Sequence, residues 1–243
     1  MAALFTIIAC LSSDPPHPAR DTDVGDSAAP GPQAAVVDSM PSLFTVRWQQ
    51  PEPASAQVAW SLDGVWHTSP AREVGAGEAE LLAAGLPFDV SADWRLIVDD
   101  VITAEGQIQT GSAPEGTPSP IVISSIPEQH APDLAYLLAS ISSNGFDEPV
   151  WTVIVDRQGR LVWSLPTPAY RVTLHPRLSA DGRRILIDHN SYWGDLDGGA
   201  ASTVVRVGLD GVVEETIETP GLHHPFVELP DGALMWGAAV GDS

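Results

Sequence analysis

Residues 156–187, DRQGRLVWSLPTPAYRVTLHPRLSADGRRILI, and residues 209–236, LDGVVEETIETPGLHHPFVELPDGALMW, carry one pattern twice. Gly159 matches Gly211, 52 residues later, and the His-Pro and Asp-Gly pairs that follow match at separations of 49 and 50. A repeat of about 50 residues built from short strands and Asp-Gly turns predicts the blades of a β-propeller.

The composition narrows the possible partners. The 243 residues include 32 acidic and 11 basic ones, which gives a net charge of −21. Such a charge argues against nucleic acids and anionic lipid surfaces as partners. The 22 prolines and 21 glycines favour strands and turns over helices. A single cysteine excludes an internal disulfide and a cysteine-rich zinc site.

The amino-terminal segment predicts an export signal. Cys10 follows the apolar run MAALFTIIA, and the sequence Ile7 to Cys10 resembles a bacterial lipobox. We therefore expect residues 1–10 to be a lipoprotein signal segment, with Cys10 lipidated and the protein exported and anchored to the bacterial cell envelope. The alternative is a chance cysteine in an apolar terminus. Residues 11–39, rich in Pro, Asp and Ala, predict a disordered tether.

Residues 40–112 predict a β-sandwich, because about seven short alternating segments follow one another. One of the turns is Asp63-Gly64, which predicts a hairpin. The stretch AAGLPFDVSADWRLIV, residues 83–98, resembles a strand corner of fibronectin type III domains, with Trp94 at the aromatic position. The fold class expected is all-β.

Residues 113–120, APEGTPSP, predict a hinge between two domains. From 120 to 243 we expect a partial β-propeller of about two and a half blades, with a hairpin at residues 151–163. The composition of residues 134–142 favours a helix, but the segments around them predict strands. We therefore expect residues 134–142 to form a strand. Two and a half blades do not close a ring, so the chain is expected to be the front part of a longer protein.

Three histidines occupy related positions in the repeat. His175 and His224 each precede a proline and a strand, where side chains of successive blades converge on a propeller axis. Histidine can act there as nucleophile, general base or metal ligand. For His175 we favour a turn in which the imidazole bonds a backbone carbonyl. His223 and His224 are adjacent on a strand, so we expect them to point to opposite faces, one of them to the channel.

Residues 188–199, DHNSYWGDLDGG, predict a long loop between strands. Ca²⁺ binds oxygen ligands of the kind that this loop offers, from Asp188, Asn190, Asp195 and Asp197. Their order in the sequence differs from that of an EF-hand, so we favour a solvated loop without a metal ion. His189 and Trp193, with Tyr192, form either an aromatic lip over a channel or a plug between blades.

DRQGRLVW, residues 156–163, and HHPFVELPDGAL, residues 223–234, together resemble the bacterial arylsulfotransferases (aryl-sulfate sulfotransferases). The resemblance covers the chain from about Pro120 onward. It implies a small β-sandwich before a six-bladed propeller, and transfer of a sulfuryl group from a phenolic ester to a phenol through a channel histidine. Pro225 departs from the family pattern, which usually has Asp after the paired histidines.

The resemblance implies His223 and His224 as catalytic residues, with the nucleophile left open between them. We expect His175, His189 and Trp193 to bind substrate, with phenols and phenolic sulfates as partners and no cofactor or metal. We expect the protein to contact the membrane only through the lipid on Cys10. The alternative function is a non-catalytic surface propeller that binds a carbohydrate, a peptide or a protein.

Overall fold

The computed structural model describes residues 31–120, 135–142, 148–194 and 196–238. The described part of the chain is nearly all β, as the sequence predicts, and its sheets are antiparallel. The elements in chain order are β1 (Gln33–Val37), β2 (Met40–Gln50), β3 (Ala54–Leu62), β4 (Val65–Thr68), β5 (Arg72–Val74), β6 (Gly77–Ala83), β7 (Ser91–Val98), β8 (Val101–Gln109), β9 (Tyr136–Ser142), β10 (Val150–Asp156), β11 (Leu161–Pro166), β12 (Arg177–Leu178), β13 (Ile185–His189), α1 (Ser191–Gly194), β14 (Thr203–Val207), β15 (Val213–Glu218), β16 (Leu222–Glu228) and β17 (Leu234–Ala238).

The amino-terminal strands form two sheets that share one hydrophobic core. One sheet has the order β1-β2-β6, and the other has the order β4-β3-β7-β8 with β5 also paired to β3. Alternate residues of each strand enter the core, because successive side chains of a strand point to opposite faces. The core residues are Phe44, Val46, Trp48, Ala56, Val58, Trp60, Ala79, Leu81, Ala83, Leu86, Ala92, Trp94 and Leu96.

The predicted tether ends earlier than residue 39. Residues 33–37 form β1, which pairs with β2 from Gln33 opposite Arg47 to Val36 opposite Phe44. The prediction was wrong here because the run AAVV is short and follows a long polar stretch. Ala34 packs against the core of the two sheets, and that burial favours the strand.

Both predicted hairpins are confirmed. β3 and β4 are joined by Asp63 and Gly64, whose φ angles of 53° and 77° are those of a type I′ turn. β10 and β11 pair from Trp151 opposite Pro166. The strand expected near residues 134–142 is also present, as β9, which pairs along the other edge of β10.

The carboxy-terminal strands form three sheets, β11-β10-β9, β12-β13-β14-β15 and β16-β17. The sequence repeat has a structural counterpart in two kinds of turn. The amide N–H of Asp156 donates to Arg160 O at 3.0 Å, and that of Gly208 donates to Val212 O at 2.9 Å. In the second kind of turn, the amide N–H of Gly182 donates to Ser179 O and the amide N–H of Gly232 donates to Leu229 O, both at 2.9 Å.

A second core joins the amino-terminal and carboxy-terminal sheets. Trp163 lies at its centre, 2 % exposed, and its indole N–H donates to Leu209 O at 2.7 Å. Ser42 Oγ donates to Val162 O across the junction at 2.7 Å. The buried residues of this core are Met40, Leu43, Phe88, Ile154, Val162, Trp163, Ile185, Ile187, Val205, Val207 and Leu209. The hinge at 113–120 therefore connects sheets that are packed against each other.

The helix α1 lies within residues 188–199, for which the sequence predicted a loop between strands. Asn190 caps it, because its Oδ1 accepts the amide N–H of Tyr192 at 3.0 Å. Among the described residues no helix is long and apolar enough to cross a membrane. Cys10, the signal segment and residues 11–30 lie outside the described residues.

Candidate functional site

The helix α1, which follows β13, and the start of β16 bring four aromatic rings together, which we call the histidine cluster (Tyr192, Trp193, His223 and His224). The rings of His223 and His224 are 4.0 Å apart, and those of Tyr192 and His223 are 4.9 Å apart, between centroids. Trp193 Nε1–H donates to His223 O at 3.0 Å. The helix α1 thus holds two aromatic side chains against the paired histidines.

The two histidines do not point to opposite faces, and that expectation was wrong. β16 and β17 lose register between Leu222, which is opposite Ala238, and Phe226, which is opposite Trp236. β16 therefore carries two more residues than its partner over this interval. Pro225 explains the bulge, since a proline has no N–H to donate to a strand ladder. In the bulge both imidazoles lie on the same side and contact each other.

Asp188 organises the segment that carries His175. Its carboxylate is fully buried and accepts hydrogen bonds from Thr173 Oγ1 at 3.0 Å, from the amide of Leu174 at 3.1 Å and from the amide of His175 at 3.0 Å. Burial raises the pKa of Asp188 above its ordinary value, and these hydrogen bonds offset only part of that rise. The sequence analysis placed Asp188 in a solvated loop, which was wrong, since it belongs to β13.

His175 has a buried Nδ1 that bonds no atom of the described residues. We expected the His175 imidazole to bond a backbone carbonyl, but its Nδ1 makes no such bond with the described residues. The segment lies beside the end of β13, because Val172 and Asn190 exchange backbone hydrogen bonds of 3.1 and 2.9 Å. His175 and His189 are thus carried by neighbouring segments.

His189 is kept neutral at neutral pH. Burial lowers its pKa to about 4, and the positive charge of Arg171 contributes to the shift. Its Nε2 is buried and bonds no atom in the part of the chain that the structure describes. A neutral imidazole can accept a proton or a hydrogen bond, which is the form that a general base or nucleophile needs.

The low pKa of His189 gives a testable pH dependence. An unfolded histidine has a pKa of about 6.5, so the unfolded chain takes up the proton first as the pH falls. The free energy of unfolding is therefore expected to drop between pH 6.5 and 4, by about 2–3 kcal/mol from this residue. Asp188 contributes with the opposite sign, since its raised pKa favours the protonated folded state. Urea denaturation of wild type and His189→Gln should show that the free energy of unfolding falls less at acid pH in the variant. Equal pH profiles of the two proteins would contradict the low pKa of His189.

Asn190 and Asp197, the other described oxygen ligands of residues 188–199, accept backbone amides. Asp197 is exposed and accepts Ser191 Oγ at 2.8 Å and the amides of Gly199 at 2.7 Å and Ala201 at 3.1 Å. These bonds lower the pKa of its carboxyl, although the partial burial of the group acts in the opposite sense. Within the described ranges no group of three His, Cys, Asp or Glu residues could hold a metal ion. Asp195 lies outside those ranges.

The structure thus brings Trp193 to His223, and it places His175 and His189 on adjoining segments. Sequence reasoning missed Asp188 as the residue that holds residues 173–175, and it missed Arg177. The only signal for Arg177 was its position two residues after His175, in a chain that has few cations. No protein-family model matches the chain, and no curated protein matches it significantly.

Proposed function

We propose that the protein is an arylsulfotransferase-like, exported lipoprotein, lipidated at Cys10. In this proposal the two amino-terminal sheets are a fibronectin type III-like sandwich and the three later sheets are the first blades of an incomplete propeller. The reaction is nucleotide-independent transfer of a sulfuryl group from a phenolic sulfate ester to a phenol. The observation that carries the proposal is the contact between the His223 and His224 rings beside Tyr192 and Trp193.

The paired imidazoles suit a two-step transfer. In the first step one neutral imidazole nitrogen attacks sulfur, the N–S bond forms, and the S–O bond breaks to release a phenolate. The other imidazole, in its protonated form, can give the phenolate a proton. In the second step the acceptor phenol loses its proton to that imidazole and attacks sulfur, and the N–S bond breaks. His223 Nδ1 is buried without a partner among the described residues, so this nitrogen is uncommitted.

The neighbouring rings suit a phenolic substrate. Trp193 is 37 % exposed, and Tyr192 and Trp193 meet edge to face at 4.8 Å. A phenol ring can pack on such a surface, since aromatic pairs gain from stacked or edge-to-face contact. His175 and His189 are proposed to line the substrate site as hydrogen-bonding groups. The neutral state of His189 then makes it an acceptor for the phenol O–H.

Turnover of 4-nitrophenyl sulfate with phenol as acceptor tests the function. The full-length product of the reading frame is expected to release nitrophenolate in an acceptor-dependent reaction. His223→Ala and His224→Ala are each expected to lower kcat/KM by about 100-fold or more, as for loss of a nucleophile or a general acid. His67→Ala is the matched control, since His67 lies on β4 and stacks on Trp60. Release that depends on neither His223 nor His224 would refute the proposal.

A further inference from the structure

Arg177 is half-buried, and it differs from five other arginines of the described residues in its partners. These five form ion pairs with carboxylates, namely Arg47, Arg95, Arg160, Arg184 and Arg206. No carboxylate in the described ranges forms an ion pair with Arg177, although acidic residues outnumber basic ones by 32 to 11. Its Nε is buried and bonds no described atom. A half-buried guanidinium without a carboxylate partner among the described residues is a candidate anion site.

The register of the sheet explains why the carboxylates nearby do not reach Arg177. Arg177 lies opposite Leu186, and Leu186 lies opposite Arg206, so all three side chains share one face. Glu228 bonds Arg206 Nη2 at 2.9 Å with one oxygen and accepts the amide of Ala180 with the other. Leu186 lies between the two arginines, and Glu228 is fully engaged on the Arg206 side.

The guanidinium of Arg177 borders an open cavity of about 480 Å³ with apolar walls. It lies over the Phe226 ring, with its central carbon 4.9 Å from the ring centroid. The other walls include Pro225, Met235 and Trp236. Arg177 is half-buried and lines this cavity, so its guanidinium can be reached from the cavity. One cation at the edge of an apolar surface is the arrangement that an anion with a flat apolar body fits.

We propose that Arg177 binds the anionic group of an aryl sulfate or arylsulfonate whose ring packs against Pro225 and Trp236. The planar guanidinium fork matches two oxygens of such a group. Pro225 and Phe226 directly follow His223 and His224, so the cavity adjoins the histidine cluster. The choice of a sulfur oxyanion over another aromatic anion rests on the proposed function.

Binding of 2-naphthalenesulfonate tests this site without any transfer chemistry, because its C–S bond is not a sulfuryl ester. Calorimetric titration of the full-length product should give a saturable affinity. Arg177→Met, which keeps the apolar stem, should weaken it at least tenfold, and Arg183→Met should leave it within twofold. Arg183 is a matched control, since it is exposed and lies in the hairpin between β12 and β13, outside this cavity. Circular dichroism and urea denaturation of both variants establish that they are folded.

Three results would each overturn the inference. The first is an affinity in Arg177→Met within twofold of wild type, and the second is no saturable binding by wild type. The third is inorganic sulfate binding as tightly as the arylsulfonate, since the apolar wall would then take no part; sulfate is expected to bind at least tenfold more weakly. If the arylsulfonate binds through Arg177 but no sulfuryl transfer occurs, only the proposed function fails. If transfer occurs and Arg177→Met leaves KM unchanged, only the assignment of Arg177 fails.

Discussion

Replacement of Trp163 by alanine is expected to destabilise the folded chain by about 3–5 kcal/mol, the range found when a large buried aromatic side chain is removed. Trp163 is 2 % exposed and lies in the core that joins the amino-terminal sheets to β13 and β14. The variant also leaves Leu209 O without the indole N–H that it accepts at 2.7 Å. An unpaired buried carbonyl adds to the cost of the cavity.

Equilibrium urea denaturation measures this effect, and two variants calibrate it. Trp163→Phe should cost about 1–2 kcal/mol, because most of the packing remains and the hydrogen bond is lost. Trp66→Ala should cost about 1 kcal/mol or less, since Trp66 is 41 % exposed and its contact is a stacked Arg95 guanidinium. A Trp163→Ala variant no less stable than Trp66→Ala would show that the two groups of sheets do not share this core.

Replacement of Asp188 by asparagine is expected to cost about 2–4 kcal/mol, although the two side chains have nearly the same shape. The carboxylate accepts from Thr173, Leu174 and His175 in a fully buried position. An asparagine oxygen can take the place of Oδ1, which accepts all three donors, but the NH₂ group then replaces Oδ2 and faces the amide N–H of Leu174. The buried NH₂ group is left opposite a donor, which costs about 1–3 kcal/mol, and the three bonds lose their charge assistance.

Asp197→Asn is the matched control for Asp188→Asn. Asp197 accepts the same kinds of bond, from one hydroxyl and two amides, but it is exposed. Water can hydrogen-bond the donors that lose the carboxylate there, so the expected loss in the free energy of unfolding is about 1 kcal/mol or less. Denaturation at pH 7 compares the two variants. Equal costs would contradict the claim that Asp188 holds residues 173–175 through buried, irreplaceable bonds.

The sequence predicted the all-β class and the hairpins well, because each depends on local patterns. Asp63 and Gly64 specify a turn by their own backbone preferences, and Gly159 and Gly211 mark turns with the same hydrogen bonds. These features need no knowledge of the rest of the chain.

The features that the sequence did not predict depend on long-range packing. β1 forms because residues 33–37 find β2 as a partner, which composition does not reveal. Asp188 looks like a loop ligand in the sequence, and only the position of residues 173–175 makes it a buried acceptor. The alternation expected for His223 and His224 fails at Pro225, whose missing N–H allows the bulge. Arg177 stands out only when the partners of the other arginines are known.

Sulfuryl transfer through the paired histidines is the central claim, and a trapped intermediate tests it most directly. The full-length product is incubated with 4-nitrophenyl sulfate without any acceptor, digested at alkaline pH, and examined by mass spectrometry. The account predicts a sulfuryl group on the peptide that contains His223 and His224, which disappears when phenol is added and is absent from the variant that lacks the nucleophile. A sulfuryl group on another residue, or nitrophenolate release with no modified histidine in either position, would contradict it.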